Sequence, residues 1–292
     1  MNIEDYEKIR SGTIGFYQQK RGLIEVSGKE AIQFLNGLIT NDVAKLEENA
    51  QMLAAFPDAK GRLIAVVRVL RKGDKFLFET EAATHEKVFN NLFRFTFAGD
   101  FFVEDLSEKY SYFSITNYEL RITNAIEFES KFGKDIFVPK NSIENFKNEL
   151  KDAIEISDEL YEILRIEQGI PLYGVDMDET TIVPEIGLPE IISYNKGCYI
   201  GQEIIARIHF RGHIAKQLTG ILVESGEWRV ESERELKSLD GKNAGKITSA
   251  IFSPKLEKII ALAFVRYDYL AEGTQLKIGE LTATVKNLPF FE

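Results

Sequence analysis

From Ala215 onward the chain sustains no helical period and breaks instead into short apolar stretches separated by glycine-bearing turns. Leu218 to Glu224, Gly245 to Ser249, Ile259 to Val265 and Gln275 to Val285 are rich in β-branched and other apolar residues. The pattern therefore predicts a small antiparallel β-barrel over residues 214–292.

Residues 1–213 carry a mixed pattern. Gly22 to Val26 reads as a strand, and Ser27-Gly-Lys-Glu30 as a capping box opening a helix with Ala31, Phe34, Leu35 and Leu38 on one face. Thr40-Asn41-Asp42 supplies a second cap or turn. Met52 to Phe56 and Leu63 to Leu70 flank Pro57-Asp-Ala-Lys-Gly61, whose Pro and Gly suit a tight reversal. Lys72-Gly-Asp74 then turns the chain into Lys75 to Phe78. A helix is predicted from about Ala82 to Phe93, with Val88, Phe89, Leu92 and Phe93 inward, followed by strands at Phe101 to Val103 and Tyr112 to Ile115.

Residues 117–156 read as small strands with a helix around Asn141 to Leu150. Ser157 to Gly169 is the clearest helix: acids in its first turn, Leu160, Ile163 and Leu164 inward, Gly169 as the stop and Pro171 preventing continuation. Together these imply an α+β region over 1–213, in two subdomains with a break within 105–156, ahead of the barrel at 214–292.

At 292 residues the chain has room for about two domains. No apolar run approaches bilayer length, and the acidic start is unlike a secretory leader, so no membrane association and a cytoplasmic location are expected. A single cysteine excludes an internal disulfide. The formal charge of −10 disfavours a polyphosphate backbone, and direct nucleic-acid binding is not expected. Locally the balance reverses: between Lys196 and Lys216 stand Lys196, Arg207, Arg211 and Lys216 against Glu203 alone, a basic island suited to a small anionic ligand.

That island begins with Lys196-Gly-Cys-Tyr-Ile-Gly-Gln-Glu-Ile-Ile-Ala-Arg207. Gly197 and Gly201 let the backbone turn closely around Cys198, and a helix is predicted from Gln202. A thiol beside helix N-terminal amides and Lys196 ionises more easily than a free one, which makes Cys198 and Lys196 the candidate catalytic pair. The competing reading is an ordinary buried cysteine. His209 and His213 have helical metal-ligand spacing, but Gly212 weakens the helix that this geometry needs. No metal site is expected.

Lys-Gly-Cys-Tyr-x-Gly-Gln-Glu followed by Arg resembles the signature of the YgfZ family, folate-binding proteins linked to iron–sulfur enzyme maintenance and tRNA modification and related to the glycine-cleavage T protein, an aminomethyltransferase. Phe34 to Val43, Arg165 to Gly174, Val183 to Leu188 and the C-terminal strands are similar to segments of the same two groups. The resemblance implies folate-binding α+β domains followed by a small barrel, and tetrahydrofolate or a one-carbon derivative as cofactor. It implies motif roles for Lys196, Gly197, Cys198, Tyr199, Gly201, Gln202, Glu203 and Arg207, and cofactor contacts at Glu185, Tyr173 and Arg165. A carboxylate at Glu185 suits a pterin, which offers an amino group and a ring N–H as paired donors.

The chain departs from the T-protein pattern at Phe78-Glu-Thr-Glu-Ala-Ala-Thr-His85, which lacks that family's Asn and catalytic Asp and offers only Glu79, Glu81 or His85 in their place. The resemblance implies a folate-binding factor assisting iron–sulfur client proteins. The alternatives are a folate-dependent aminomethyltransferase and a non-catalytic interaction module.

Overall fold

The computed structural model describes residues 3–117, 124–224 and 234–291. The chain divides into two compact units, one of Met1–Ser157 and Pro189–Glu203, the other of Asp158–Leu188 and Ile204–Glu292. The units are interleaved in sequence, so the segment leading into the candidate folate residues clusters with the barrel rather than with the rest of 1–213.

The first unit runs α1 (Ile3–Arg10), β1 (Gly15–Gln19), β2 (Arg21–Ser27), α2 (Ala31–Leu38), β3 (Gln51–Pro57), β4 (Leu63–Lys72), β5 (Lys75–Glu81) and α3 (His85–Phe93). It continues with β6 (Phe102–Asp105), β7 (Tyr110–Thr116), β8 (Ile126–Ser130), β9 (Gly133–Pro139), α4 (Ile143–Glu149) and β10 (Ile154–Glu155). Residues 118–123 of the expected small-strand stretch lie outside the described residues. Two five-stranded sheets result, ordered β3-β4-β5-β2-β6 and β10-β1-β7-β9-β8.

The Pro57 to Gly61 reversal forms as the sequence predicts. Asp58 Oδ1 accepts from the Lys60 and Arg62 amides at 2.8 Å, and Gly61 takes the φ of 72° that a side chain would resist. The first sheet buries Phe56, Phe78 and Val67 against Leu35 of α2 and Val88 and Leu92 of α3. Each of these side chains stabilises the fold by about 1.5–3 kcal/mol over leaving it in water.

Two local expectations are overturned. No capping box opens α2: the Glu30 side chain makes no cap within the helix. Its Oε2 instead accepts the Asp100 amide at 2.7 Å, while the Glu30 amide donates to the Asp100 carbonyl at 3.1 Å. A distant loop thus does what Ser27 would have done, because Gly28 at φ 114° turns the chain so closely that the Asp100 backbone lies where a Cβ would be. Phe93 is not inward but 41% exposed. Its ring stacks on Phe89 at 5.4 Å and meets the edge of Phe97 at 6.0 Å.

The second unit holds α5 (Asp158–Glu167), the greater part of α6 (Gln202–Arg211), and the strands β11 (Lys216–Val223), β12 (Glu235–Ser238), β13 (Asn243–Ser253), β14 (Lys258–Arg266), β15 (Gln275–Ile278) and β16 (Leu281–Lys286). The strands close into an antiparallel barrel in the order β11-β14-β13-β12-β15-β16. Ile221, Leu236, Ile247, Leu276 and Val285 belong to the core cluster of these strands. The stretch Gln275 to Val285 is two strands, folded back at Gly279, where φ is 57°. β12 has no counterpart in the sequence reading, since four residues with one buried apolar side chain give little alternation to detect. α5 lays Ile166 against Leu218, Leu262 and Phe264. Among the described residues no helix is long and apolar enough to cross a membrane.

Candidate functional site

In the second unit, Val183–Ile186 forms a single 3-10 turn, with Pro184 near its start and Gly187 ending it at φ 77°. A Cβ on Gly187 would lie 2.7 Å from the Leu218 carbonyl, so the turn sits directly on β11. This places Glu185 in the interior, 4% exposed. Its Oε2 accepts the Ile182 amide at 3.2 Å, the only hydrogen bond to this carboxylate among the described residues. Burial pushes the Glu185 carboxyl above its ordinary value, while the Ile182 amide and the charge of Lys216 pull it down. A carboxylate has about four acceptor positions, so Glu185 is a buried acceptor with most of its capacity unused.

Tyr173 is also buried and donates to Glu179 Oε2 at 3.3 Å. Arg165 is 1% exposed, and all five of its N–H donors are taken. Nε and Nη2 fork onto Glu162 at 2.7 and 2.6 Å, Nη2 also reaches Ser249 Oγ at 3.0 Å, and Nη1 donates to the Ile170 carbonyl at 3.1 Å and Asp176 Oδ2 at 3.0 Å. With no donor left over, Arg165 has nothing to offer a ligand directly. Arg165 ties Glu162, Ile170, Asp176 and Ser249 together.

In the first unit, the cysteine motif locks onto the segment after α2. Lys196 Nζ donates to the Ile39 and Asn41 carbonyls at 2.8 and 2.6 Å and lies 5.1 Å from the centre of the Tyr199 ring. The Ile200 amide donates to the Gly37 carbonyl, the Ser193 amide to the Thr40 carbonyl, and Thr40 Oγ1 to the Ile191 carbonyl. Two stretches some 150 residues apart, Phe34 to Val43 and Lys196 to Glu203, are therefore one interlocked structure. Burial pulls the Lys196 ammonium down to about 8, partly offset by Asp42, and burial pushes the Tyr199 phenol up.

Gly201, at φ 80°, brings its backbone so near the Asp58 carbonyl that a Cβ would stand 2.4 Å away. Cys198 itself is exposed, and a Cβ on neighbouring Gly197 would meet nothing within 4 Å. Gln202 opens α6 and reaches back to the Gly197 carbonyl at 3.4 Å; Glu203 and Arg207 on the same helix are exposed. α6 ends at Arg211, so His213 lies beyond it and stacks on Tyr267 with ring centres 4.2 Å apart. Among the described residues no group of His, Cys, Asp and Glu is placed to hold a metal ion.

The stretch from Phe78 to His85 has its polar side chains engaged. Glu79 pairs with Arg68 at 2.9 Å and Arg21 at 3.1 Å, and His85 is bonded through one ring nitrogen to Thr80 Oγ1 and through the other to Asp105, both at 2.9 Å. The sequence reading missed Asp176, which lies 1% exposed within the Tyr173-to-Glu179 segment. Its one signal was an acid three residues after a candidate ligand tyrosine.

Two family models match: the GCVT N-terminal domain over residues 2–116 and the glycine cleavage T-protein C-terminal barrel domain over residues 216–292. The chain is T-protein-like. It is 24% identical to aminomethyltransferases of Thermoanaerobacter pseudethanolicus and Caldanaerobacter subterraneus subsp. tengcongensis, covering 94% of this chain and 84% and 83% of those proteins. The crystal structure of the glycine cleavage system aminomethyltransferase T from Bartonella henselae superposes with a TM-score of 0.86 at 18% identity, over 99% of this chain and 90% of that one. The T-protein-like fold is thereby established for the mixed sheets and the closed barrel alike. Residues 117–215, which hold Glu185, Tyr173 and the Cys198 motif, lie between the two matched domains.

Proposed function

We propose that this T-protein-like chain is a cytoplasmic tetrahydrofolate-binding protein of the aminomethyltransferase type, taking tetrahydrofolate or a one-carbon derivative. The observation that carries the reading is the Glu185 carboxylate, buried yet accepting a single hydrogen bond. Its unused acceptor positions, which are not sealed from solvent, suit the amino group and ring N–H of a reduced pterin as paired donors. Tyr173 would lie alongside, and Arg165 would act only through the side chains it ties. When bound, a tetrahydrofolate supplies the nitrogen that accepts or gives up a one-carbon unit; Glu185 orients it.

Calorimetry with tetrahydrofolate and its methylene and formyl derivatives tests this. Glu185→Ala removes one charge-assisted partner in a buried site, about 1.5–3 kcal/mol or roughly ten- to a hundred-fold in Kd. Unchanged affinity in a folded variant would take Glu185 out of the site.

A second reading, a YgfZ-like factor assisting iron–sulfur client proteins, including tRNA-modifying ones, is favoured by one observation. Cys198 is an exposed thiol in a loop held rigidly by Lys196, whereas Glu79 and His85 are tied to internal partners.

A further inference from the structure

The strand β13 carries an irregularity that regular sheet geometry does not need. Its pairing with β14 steps from Ile247↔Ala263 to Ser249↔Leu262, leaving Thr248 as the extra residue of a β-bulge. In a regular strand successive side chains point to opposite faces, so Thr248 and Ser249 could not reach the same group. Here both do: each hydroxyl donates to Asp176 Oδ1 at 2.6 Å. The other oxygen, Asp176 Oδ2, accepts Arg165 Nη1 and the Leu172 amide, both at 3.0 Å. One buried carboxylate thus gathers four donors from α5, from its own turn and from the barrel.

The turn it holds is the one that bears Tyr173. The Asp176 amide donates to the Leu172 carbonyl at 2.9 Å, the Gly174 amide to the Met177 carbonyl at 2.7 Å, and Tyr173 bridges to Met177. Removing the barrel hydroxyls would take away two of the four hydrogen bonds to the Asp176 carboxylate that ties this turn to the barrel. Bulges commonly re-aim side chains beside functional sites, and this one aims two hydroxyls at the residue that sets the Tyr173 turn.

We infer that Asp176 and the Thr248–Ser249 bulge form a positioning device: the barrel wall fixes the Tyr173 turn in its ligand-ready geometry, so barrel residues control affinity for the ligand bound by Tyr173 and Glu185. The ligand part of this rests on the folate reading; the clamping of the turn does not. The test compares Thr248→Val, which keeps the shape and removes the donor, with Thr248→Ser, which keeps the donor.

In the full chain, Thr248→Val weakens tetrahydrofolate binding by about three- to ten-fold, the scale of one lost hydrogen bond acting through a neighbour. The melting temperature stays close to the parent's, and Thr248→Ser binds like the parent. Amide hydrogen exchange at Leu172 and Asp176, read without ligand, speeds up in the Val variant alone. If exchange there is unchanged, or the Val and Ser variants behave alike, the positioning device is overturned. If the parent itself fails to bind tetrahydrofolate while the exchange result holds, the folate reading falls and the clamp on the turn stands.

Discussion

Lys196 shows how far a single side chain can depart from its sequence context. Next to the thiol in the chain, it invites the role of counter-charge, yet its ammonium is bonded to the Ile39 and Asn41 carbonyls. Burial has brought its pKa from 10.5 to about 8. Between these two values the unfolded chain keeps a proton that the folded chain has released, so stability rises with pH across the window. Below about pH 8 the penalty of the buried charge is fully present; above 10.5 it has gone. Chemical denaturation of the parent and of Lys196→Gln, which cannot titrate, should therefore show the difference moving in the parent's favour from pH 8 to pH 10. A constant difference would mean that Lys196 titrates like a solvated lysine.

At the scale of elements, the two glycines around Cys198 have different reasons to be there. Gly201 has a positive φ and no room for a Cβ against the Asp58 carbonyl, whereas Gly197 faces open space. Gly201→Ala should cost about 1–3 kcal/mol for the strained backbone alone, and Gly197→Ala close to nothing, both read from urea midpoints. Equal midpoints would show that the motif does not dock on the Pro57 to Gly61 turn.

The sequence made such local features readable: the hairpins, α5 with its Gly169 stop, and the start of α6 at Gln202 all follow from neighbours in the chain. The rest depends on distant partners. Ser27-Gly-Lys-Glu30 has the letters of a capping box, but Asp100 occupies the role, and Arg165 matches a ligand motif while its donors are filled by Glu162, Ser249, Ile170 and Asp176. Nothing in the spacing of Thr248 and Asp176 announces their contact; it needs the bulge.

For the molecule as a whole, the question is whether a T-protein-like fold here performs T-protein chemistry. Glycine cleavage needs a base near the folate. In the Phe78 to His85 stretch, Glu79 pairs with both Arg21 and Arg68, and the two nitrogens of His85 are bonded to Thr80 and Asp105. Freeing Glu79 would break its ion pairs with both Arg21 and Arg68, at a cost of several kcal/mol for a buried network. Incubated with the other cleavage-system components and tetrahydrofolate, the protein should therefore bind folate without producing methylene-tetrahydrofolate. Robust turnover would show that a residue outside this stretch supplies the base.

The thiol gives the complementary outcome. Cys198 is exposed, so Cys198→Ser buries no new hydroxyl and should melt with the parent. Glu185 lies in the other compact unit and should hold folate as before. If the chain works as an iron–sulfur maintenance factor, this variant alone loses the ability to restore client-enzyme activity in cells that lack the protein. Full rescue by the serine variant would reject a chemical role for Cys198, whereas loss of rescue together with a lowered melting temperature would assign the residue to structure.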